Sequence, residues 1–285
     1  MMDTVTLPGG RFSMGDAFNE GYEPDGEVPV HPVELSSFSI DTTTVTNAEF
    51  ARFVQATGYQ TESEKFGYSA VFHLLAQAPA EDILGSAEGH GWWLTVRGAN
   101  WAHPHGAGSN WQQIPEHPVV QVSWNDAQAY CTWSGRRLPT EAQWEYAARG
   151  GLDSKRYAWG DELRGPAGEH LCNIWQGEFP VRNTGEDGFL GTAPVRSFPE
   201  NGFGLYETGG NVWEWCADWF LPKYYRNSPL VDPAGPTIGR GRAMRGGSFL
   251  CHDSYCNRYR VAARSSNSDE SSSSNTGFRT VGPRQ

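Results

Sequence analysis

Two of the five cysteines, Cys251 and Cys256, stand five positions apart and carry the strongest chemistry in the chain. On a helix that spacing places side chains about 140° apart, and on a strand it places them on opposite faces. The two thiols therefore meet only if the backbone turns between them. Gly246 and Gly247 lie just upstream, where a left-handed conformation is cheap. A turned pair of thiols has three readings: a disulfide, a soft-metal site or a redox couple. As a disulfide it would close a six-residue loop worth about 2 kcal/mol of chain entropy, little in a chain with an ample core. The odd cysteine count argues against a complete disulfide framework, and in a reducing compartment paired cysteines are more often metal-binding or redox-active. Two thiolates form a soft site that favours Cu(I) over calcium or magnesium and leaves room for a third ligand, such as a substrate thiol. Spacing alone leaves metal site and redox couple both open.

Two oxygen-rich segments, Asn173 to Phe189 and Glu207 to Glu214, have the composition to wrap a hard cation. Neither shows an EF-hand pattern, and ordinary Asx-turns are the competing account. His90, His103 and His105 match no common zinc spacing and read as surface or core histidines. Arg240, Arg242, Arg245, Arg258, Arg260, Arg264 and Arg279 recur around the cysteine loop. They either brace a loop-rich fold through backbone carbonyls or line a cationic cleft for an acidic or peptide substrate. A nucleotide-binding glycine loop, a zinc-protease helix and a nucleophile elbow are all missing from the sequence.

The elements that must position these groups are short. The chain has 285 residues, with 34 Gly, 18 Pro and 12 Trp, so a loop-rich globule around an aromatic core is expected. A net charge of −11 gives no support to nucleic-acid binding. No stretch reaches the length of a membrane span, and Met1-Met2-Asp3-Thr4-Val5 lacks the basic and apolar regions of a signal peptide, so a cytoplasmic chain is expected.

Val33 to Ile40 alternates as a half-buried strand would. Thr46-Asn47-Ala48-Glu49 is a capping box opening a helix that Gly58 ends. From Thr61 to Gln113 the pattern is irregular. Pro118 to Val122 reads as a short buried strand, followed by a helix from Ser123 that stops at Gly135. Pro139-Thr140-Glu141-Ala142-Gln143 opens a third helix. Trp213, Trp215 and Trp219 suggest an extended segment in an aromatic core, where Glu214 needs a partner if it is buried. Ser265 to Ser274 reads as a flexible loop.

Arg245-Gly246-Gly247-Ser248-Phe249-Leu250-Cys251-His252-Asp253-Ser254-Tyr255-Cys256, continuing to Arg264, resembles the active-site segment of formylglycine-generating enzymes, the sulfatase-modifying factors. Arg137 to Glu141 with Trp144-Glu145-Tyr146, Asn173 to Gly177 and Gly210 to Trp215 agree, so the resemblance covers nearly the whole chain. Arg-Leu-Pro-Thr-Glu and Gly-Asn-Val-Trp-Glu-Trp are shared with a broader superfamily. The cysteine pair with Ser-Tyr between is far more selective.

The resemblance implies one α+β domain over residues 1–285, of the C-type-lectin-like sulfatase-modifying-factor fold with low regular secondary structure. It implies a monomeric oxidase that uses O2 to convert the cysteine of a Cys-X-Pro-X-Arg segment in an unfolded sulfatase to formylglycine. Carried over, Cys251 and Cys256 would ligate Cu(I), and Ser248, Tyr255, Trp213 and Asn275 would line the oxygen and substrate pocket. Two structural Ca2+ sites would fall on Asn173, Ile174, Asp187 and Phe189, and on Glu207, Gly210, Val212 and Glu214. Position 207 usually carries Asn. Ala148, Val261 and Thr280 occupy three of four positions that hold disulfide cysteines in animal relatives, which leaves Cys131 without that partner. The usual Asn-Thr-Pro-Asp segment is here Asn267-Ser268-Asp269-Glu270. The rival readings are a non-catalytic binding module on the same fold and an iron-dependent sulfoxide synthase. The latter needs a helical histidine-bearing domain that the residues before 120 do not supply.

Overall fold

The computed structural model describes residues 3–283; positions 1–2 and 284–285, the ends of the expected domain, lie outside the described residues. Its helices begin where a hydroxyl side chain can satisfy an orphan N–H. In α1 (Asn47–Thr57) the Thr46 hydroxyl accepts from the Glu49 N–H, the Glu49 carboxylate accepts from the Thr46 N–H, and Gly58 ends the helix at φ 67°. The same reciprocal box opens α2 (Glu62–Phe66), α3 (Trp124–Ser134) and α4 (Glu141–Arg149). Each such cap is worth about 1 kcal/mol. The short α2 lies in the stretch that reads as irregular, and its box, Thr61 with Glu64, is the signal that marks it.

The strands form small sheets. β1 (Thr4–Leu7) pairs with β4 (Phe38–Asp41), and β2 (Gly10–Met14) pairs with β3 (His31–Leu35). The single strand expected over 33–40 is thus two. The break is at Ser36, whose N–H and hydroxyl donate to the Asp232 carboxylate at 2.8 and 2.6 Å. Part of the irregular stretch is a three-stranded antiparallel sheet in the order β5 (Tyr68–Phe72), β7 (His90–Arg97), β6 (Ile83–Ala87). The strand expected over 118–122 is buried but belongs to no sheet. Gln121 takes a left-handed φ of 61°, and its side-chain amide donates to the Ala70 and Pro104 carbonyls. A hairpin with a three-residue loop, 179–181, joins β8 (Gly177–Glu178) to β9 (Arg182–Asn183).

The sheet that positions the site has the order β12 (Arg264–Asn267), β11 (Arg242–Arg245), β10 (Trp213–Trp219), β13 (Thr276–Gly277). The serine-rich segment expected to be flexible supplies β12, paired in full register with β11. Trp213 and Trp215 of β10 pack with Phe50, Phe53, Tyr130 and Phe278 in the main core. Beneath the sheet the arginines brace the fold, through carboxylates as well as carbonyls. Arg245 bonds Glu141 at 3.0 Å and also Glu145, Arg264 grips Glu141 through two bonds of 2.6 and 2.8 Å, and Arg279 grips Glu214 at 2.6 and 2.7 Å. These groups are buried, so each charge is offset by an opposite one. The molecule is one α+β domain with low regular structure. Among the described residues no helix is long and apolar enough to cross a membrane.

Candidate metal centre and substrate cleft

The cysteine loop leaves the end of β11 through Gly246 and Gly247, both left-handed at φ 93° and 72°. A Cβ on Gly247 would sit 2.7 Å from the Arg258 carbonyl, so only glycine lets the two ends of the loop come this close. Ser248 then turns the chain: its carbonyl accepts from the Cys251 N–H at 2.9 Å, and the His252 carbonyl accepts from the N–H groups of Tyr255 and Cys256. These two turns bring the thiols together. Cys251 and Cys256 are free, 1% and 4% exposed, with their sulfurs 2.8 Å apart.

The two thiols are not equivalent. Burial, followed by the bond to its neighbour, pushes the Cys251 thiol well above its usual value. Cys256 is drawn down to about 7, first by its bond with Cys251 and then by the backbone N–H and guanidinium of Arg258. Arg258 is itself held by Asp25 at 2.6 Å and lies over the Tyr22 ring, 4.6 Å from its centroid. One buried pair thus contains a proton-holding thiol and a near-neutral thiolate.

The pair opens into a cleft of about 450 Å³. Ser248, Trp213, Tyr255 and Asn275, the other residues expected at the site, all line it. Trp213 arrives on β10, its N–H bonded to the Asn275 carbonyl at 2.9 Å. Asn275 donates through its amide to the Ser248 hydroxyl at 2.9 Å and accepts from Ser273 at 2.8 Å, so Ser248 is oriented by a short polar chain. Tyr255, 38% exposed, stacks on Phe179 at 4.3 Å and meets the edge of Trp92 at 5.5 Å. One side of the cleft is therefore aromatic. The other is polar, built from Ser265, Ser266, Asn267 and the run Ser271 to Ser273. Of the altered loop Asn267 to Glu270, Asn267 reaches the cleft lining.

Several of these residues carry no local signal. Trp92, Phe179 and His90 line the cleft from distant parts of the chain; Arg258, two residues past Cys256, is among the arginines expected to brace the fold or line a cleft, and Asp25 supports it from the N-terminal acidic loop. Tryptophans spaced among glycines around Trp92 were a composition hint at most. Among the described residues no three His, Cys, Asp or Glu side chains converge to hold a metal. The cysteines consequently offer two soft donors and an open side, a poor match to tetrahedral zinc and a good one to Cu(I).

The first oxygen-rich segment folds into a cradle. The side-chain amide nitrogen of Gln176 donates both to the Ile174 carbonyl and to the Asp187 carboxylate, the second bond being 2.8 Å. An N–H donor there occupies the space where a cation would be bound by the same two oxygens. The neighbouring Asn173 donates through its amide nitrogen to the Gly191 carbonyl and to Asn211 Oδ1, while its own Oδ1 is buried with no hydrogen-bond partner among the described residues. Asp187 also accepts from the Phe189 N–H at 3.0 Å. In the second segment the Glu214 carboxylate accepts from Arg279 and, at 2.8 Å, from the Trp144 indole N–H. Glu207 accepts from the backbone N–H groups of Arg196 and Phe198 at 3.0 and 3.2 Å. Gly210 and Val212 belong to the turn leading into β10.

Comparison with known proteins places this arrangement among relatives. A model of the sulfatase-modifying factor enzyme 1-like domain matches residues 1–283. The chain is 66% identical to a formylglycine-generating enzyme of Streptomyces coelicolor over 96% of its own length and 87% of that protein. It is also 43% identical, over 96% of its length and 84% of the relative's, to a Mus musculus protein described as inactive Cα-formylglycine-generating enzyme 2. Among solved structures, PvdO from Pseudomonas aeruginosa superposes with a TM-score of 0.71 at 24% identity, over 98% of this chain and 93% of that one, a likeness of fold. Overall similarity thus extends to a relative named as inactive, and the argument for chemistry rests on the two thiols.

Proposed function

The chain belongs to the sulfatase-modifying factor enzyme 1-like family, and from that premise we propose that it oxidises a sulfatase cysteine to formylglycine. The observation that carries the reading is the buried, unbonded pair Cys251 and Cys256 at the bottom of a cleft able to admit a peptide. In this reading the pair holds Cu(I), the cleft takes a Cys-X-Pro-X-Arg segment of an unfolded sulfatase, and O2 is the oxidant. Bound there, Cu(I) supplies the one-electron chemistry with O2 that thiols alone perform slowly.

The chain's own residues do the rest. Arg258 steadies the Cys256 thiolate, so this donor is available near neutral pH without help from a base. Ser248, fixed by Asn275, lines the same cleft as the sulfurs and offers a hydroxyl that can hydrogen-bond an incoming thiol or oxygen species. Tyr255, Trp92, Phe179 and Trp213 give the pocket apolar surfaces that exclude water around a reacting sulfur. A seated peptide would complete that exclusion. The cradle of Asn173, Ile174, Asp187 and Phe189 we assign to a structural Ca2+, on the strength of the unpartnered Asn173 oxygen.

Replacing either Cys251 or Cys256 by serine is expected to abolish aldehyde formation on a Cys-X-Pro-X-Arg peptide, read by mass spectrometry as the thiol-to-aldehyde mass loss. Undiminished turnover by either variant would sink the assignment.

A further inference from the structure

The proposed reaction has an electron balance that the substrate cannot meet alone. Taking the thiol-bearing methylene of cysteine to an aldehyde and hydrogen sulfide releases two electrons, whereas reducing O2 fully to the oxidation level of water takes four. One oxygen ends in the aldehyde, the other in water, and two further electrons and two protons must come from a second reductant. A thiol couple, two RSH giving RSSR, supplies both. That reductant meets a geometric obstacle. Both cysteines are buried, and the cleft above them is where the peptide sits.

A second way in exists on another side of the loop. The Tyr259 ring is buried in the same cluster as Cys251 and Cys256. Tyr157 stacks on it, with ring centroids 5.9 Å apart and planes within 16°. Trp159 stacks on Tyr157 at 5.3 Å and 12°. Tyr259 is buried, Tyr157 and Trp159 are half-buried, and the Trp159 indole N–H donates to the Glu162 carbonyl at the surface. Three near-parallel rings therefore run to solvent from the core cluster that holds the thiols, where Cys251 is near enough to act electrostatically on Tyr259. Every ring in the stack is a phenol or an indole, the side chains most readily oxidised by one electron. The alternative stack from Tyr255 passes into Phe179, a ring that resists oxidation, and Tyr255 with Trp92 lies in the cleft under the substrate.

We propose that Trp159, Tyr157 and Tyr259 conduct electrons, one at a time, from a small-thiol reductant at the surface to the cysteine site while the peptide fills the cleft. This rests on the copper and O2 reading above. In each pass an electron leaves Tyr259 toward the site, and the vacancy moves to Tyr157 and then to Trp159, where the thiol fills it. Each phenol gives its proton to water with its electron and takes one back on re-reduction, and the two protons lost by the thiols pass through solvent to the oxygen reduced at the site, so the stack is unchanged after every pass. Two passes per turnover complete the balance. With no thiol present, the vacancy would remain at the outer ring and oxidise Trp159.

The experiment uses full-length protein loaded with Cu(I), as wild type and as Tyr157→Phe and Trp159→Phe, substitutions that keep a ring in each position. With peptide and dithiothreitol in air, each variant should turn over several-fold more slowly than wild type, while a single turnover without added thiol, for which Cu(I) and Tyr259 already hold the two further electrons, keeps its wild-type rate. A merely structural role would slow both. With peptide but no added thiol, air exposure should leave oxidised Trp159 in wild type, found by peptide mass spectrometry, and unmodified Trp159 in Tyr157→Phe. Wild-type steady-state rates in both variants, or unmodified Trp159 in the wild type, would overturn the conduction path. If wild type binds no Cu(I) or forms no aldehyde, the parent reading falls and takes this one with it.

Discussion

The loop around Asp187 and the loop ending at Glu214 look alike in sequence, each rich in oxygen ligands, yet they neutralise their carboxylates in different ways. Glu214 meets a guanidinium: Arg279 grips both of its oxygens, and the Trp144 indole N–H adds a third bond. Asp187 accepts from neutral donors, the Ile174 and Phe189 N–H groups and the Gln176 amide, and in the same segment Asn173 Oδ1 is buried with no hydrogen-bond partner among the described residues. A buried carboxylate with a cation from its own chain is electrostatically closed, whereas a half-buried one facing neutral dipoles still favours an outside cation. If the two loops hold Ca2+ as proposed, the Asp187 cradle would be the tighter of the two sites. A dication at the second loop could take the Glu214 carboxylate only by sharing it with Arg279.

The most severe way to break this comparison is to remove the internal cation. Arg279 also donates to the carbonyls of Tyr206 and Thr42, tying β13 and the N-terminal sheets to β10. Arg279→Met should cost roughly 3–5 kcal/mol in denaturant unfolding, because it leaves a buried carboxylate uncompensated. Adding Glu214→Gln should recover part of that loss, since the remaining group is then neutral. An Arg279→Met protein as stable as wild type would show that Glu214 has another neutralising partner, and the ranking would fail.

A smaller effect tests the other loop. A ligand at about a hundred times its Kd stabilises the folded state by roughly 2.7 kcal/mol. Saturating Ca2+ should raise the unfolding midpoint by a corresponding amount, and chelation should reverse it. Asn173→Ala should remove most of that response and Glu207→Gln should leave most of it. The opposite pattern would exchange the ranks of the two loops.

How much of this was legible before folding follows from the range of each interaction. The capping boxes at Thr46, Ser123 and Thr140 are local, and their helices start where those residues say. The pattern Trp213-Glu214-Trp215 marked a strand and demanded a partner for its carboxylate, but Arg279 lies sixty-five residues away and nothing local names it. The same holds for the cleft. Cys251, Ser248 and Tyr255 share one short segment whose glycines announce the turn. The aromatic side joins Tyr255 to Trp92 and Phe179, contacts that depend on how β7 and the β8–β9 hairpin pack. Ser265 to Ser274 misleads for a related reason. Its composition suits solvent, and only pairing with β11 and a place in the cleft show why so many hydroxyls are kept there.

The finest test moves the comparison to the thiols, where an internal cation again decides which group is charged. Arg258 stands to Cys256 as Arg279 stands to Glu214, but it is more exposed and partly committed to Asp25, so its effect should be smaller. In metal-free protein the Cys256 thiol, drawn down to about 7, should alkylate with a midpoint near that pH. Arg258→Gln should move the midpoint upward, by about one unit for each 1.4 kcal/mol of lost thiolate stabilisation. The sign extends to folding. A thiol whose folded value lies below its unfolded value contributes stability that is fully present above the unfolded value of 9.0 and is lost as pH falls through about 7. The Arg258→Gln protein should therefore show a shallower loss of stability over that interval than wild type. Equal slopes in the two proteins, with an unmoved alkylation midpoint, would mean that Cys251 alone sets the charge of its neighbour.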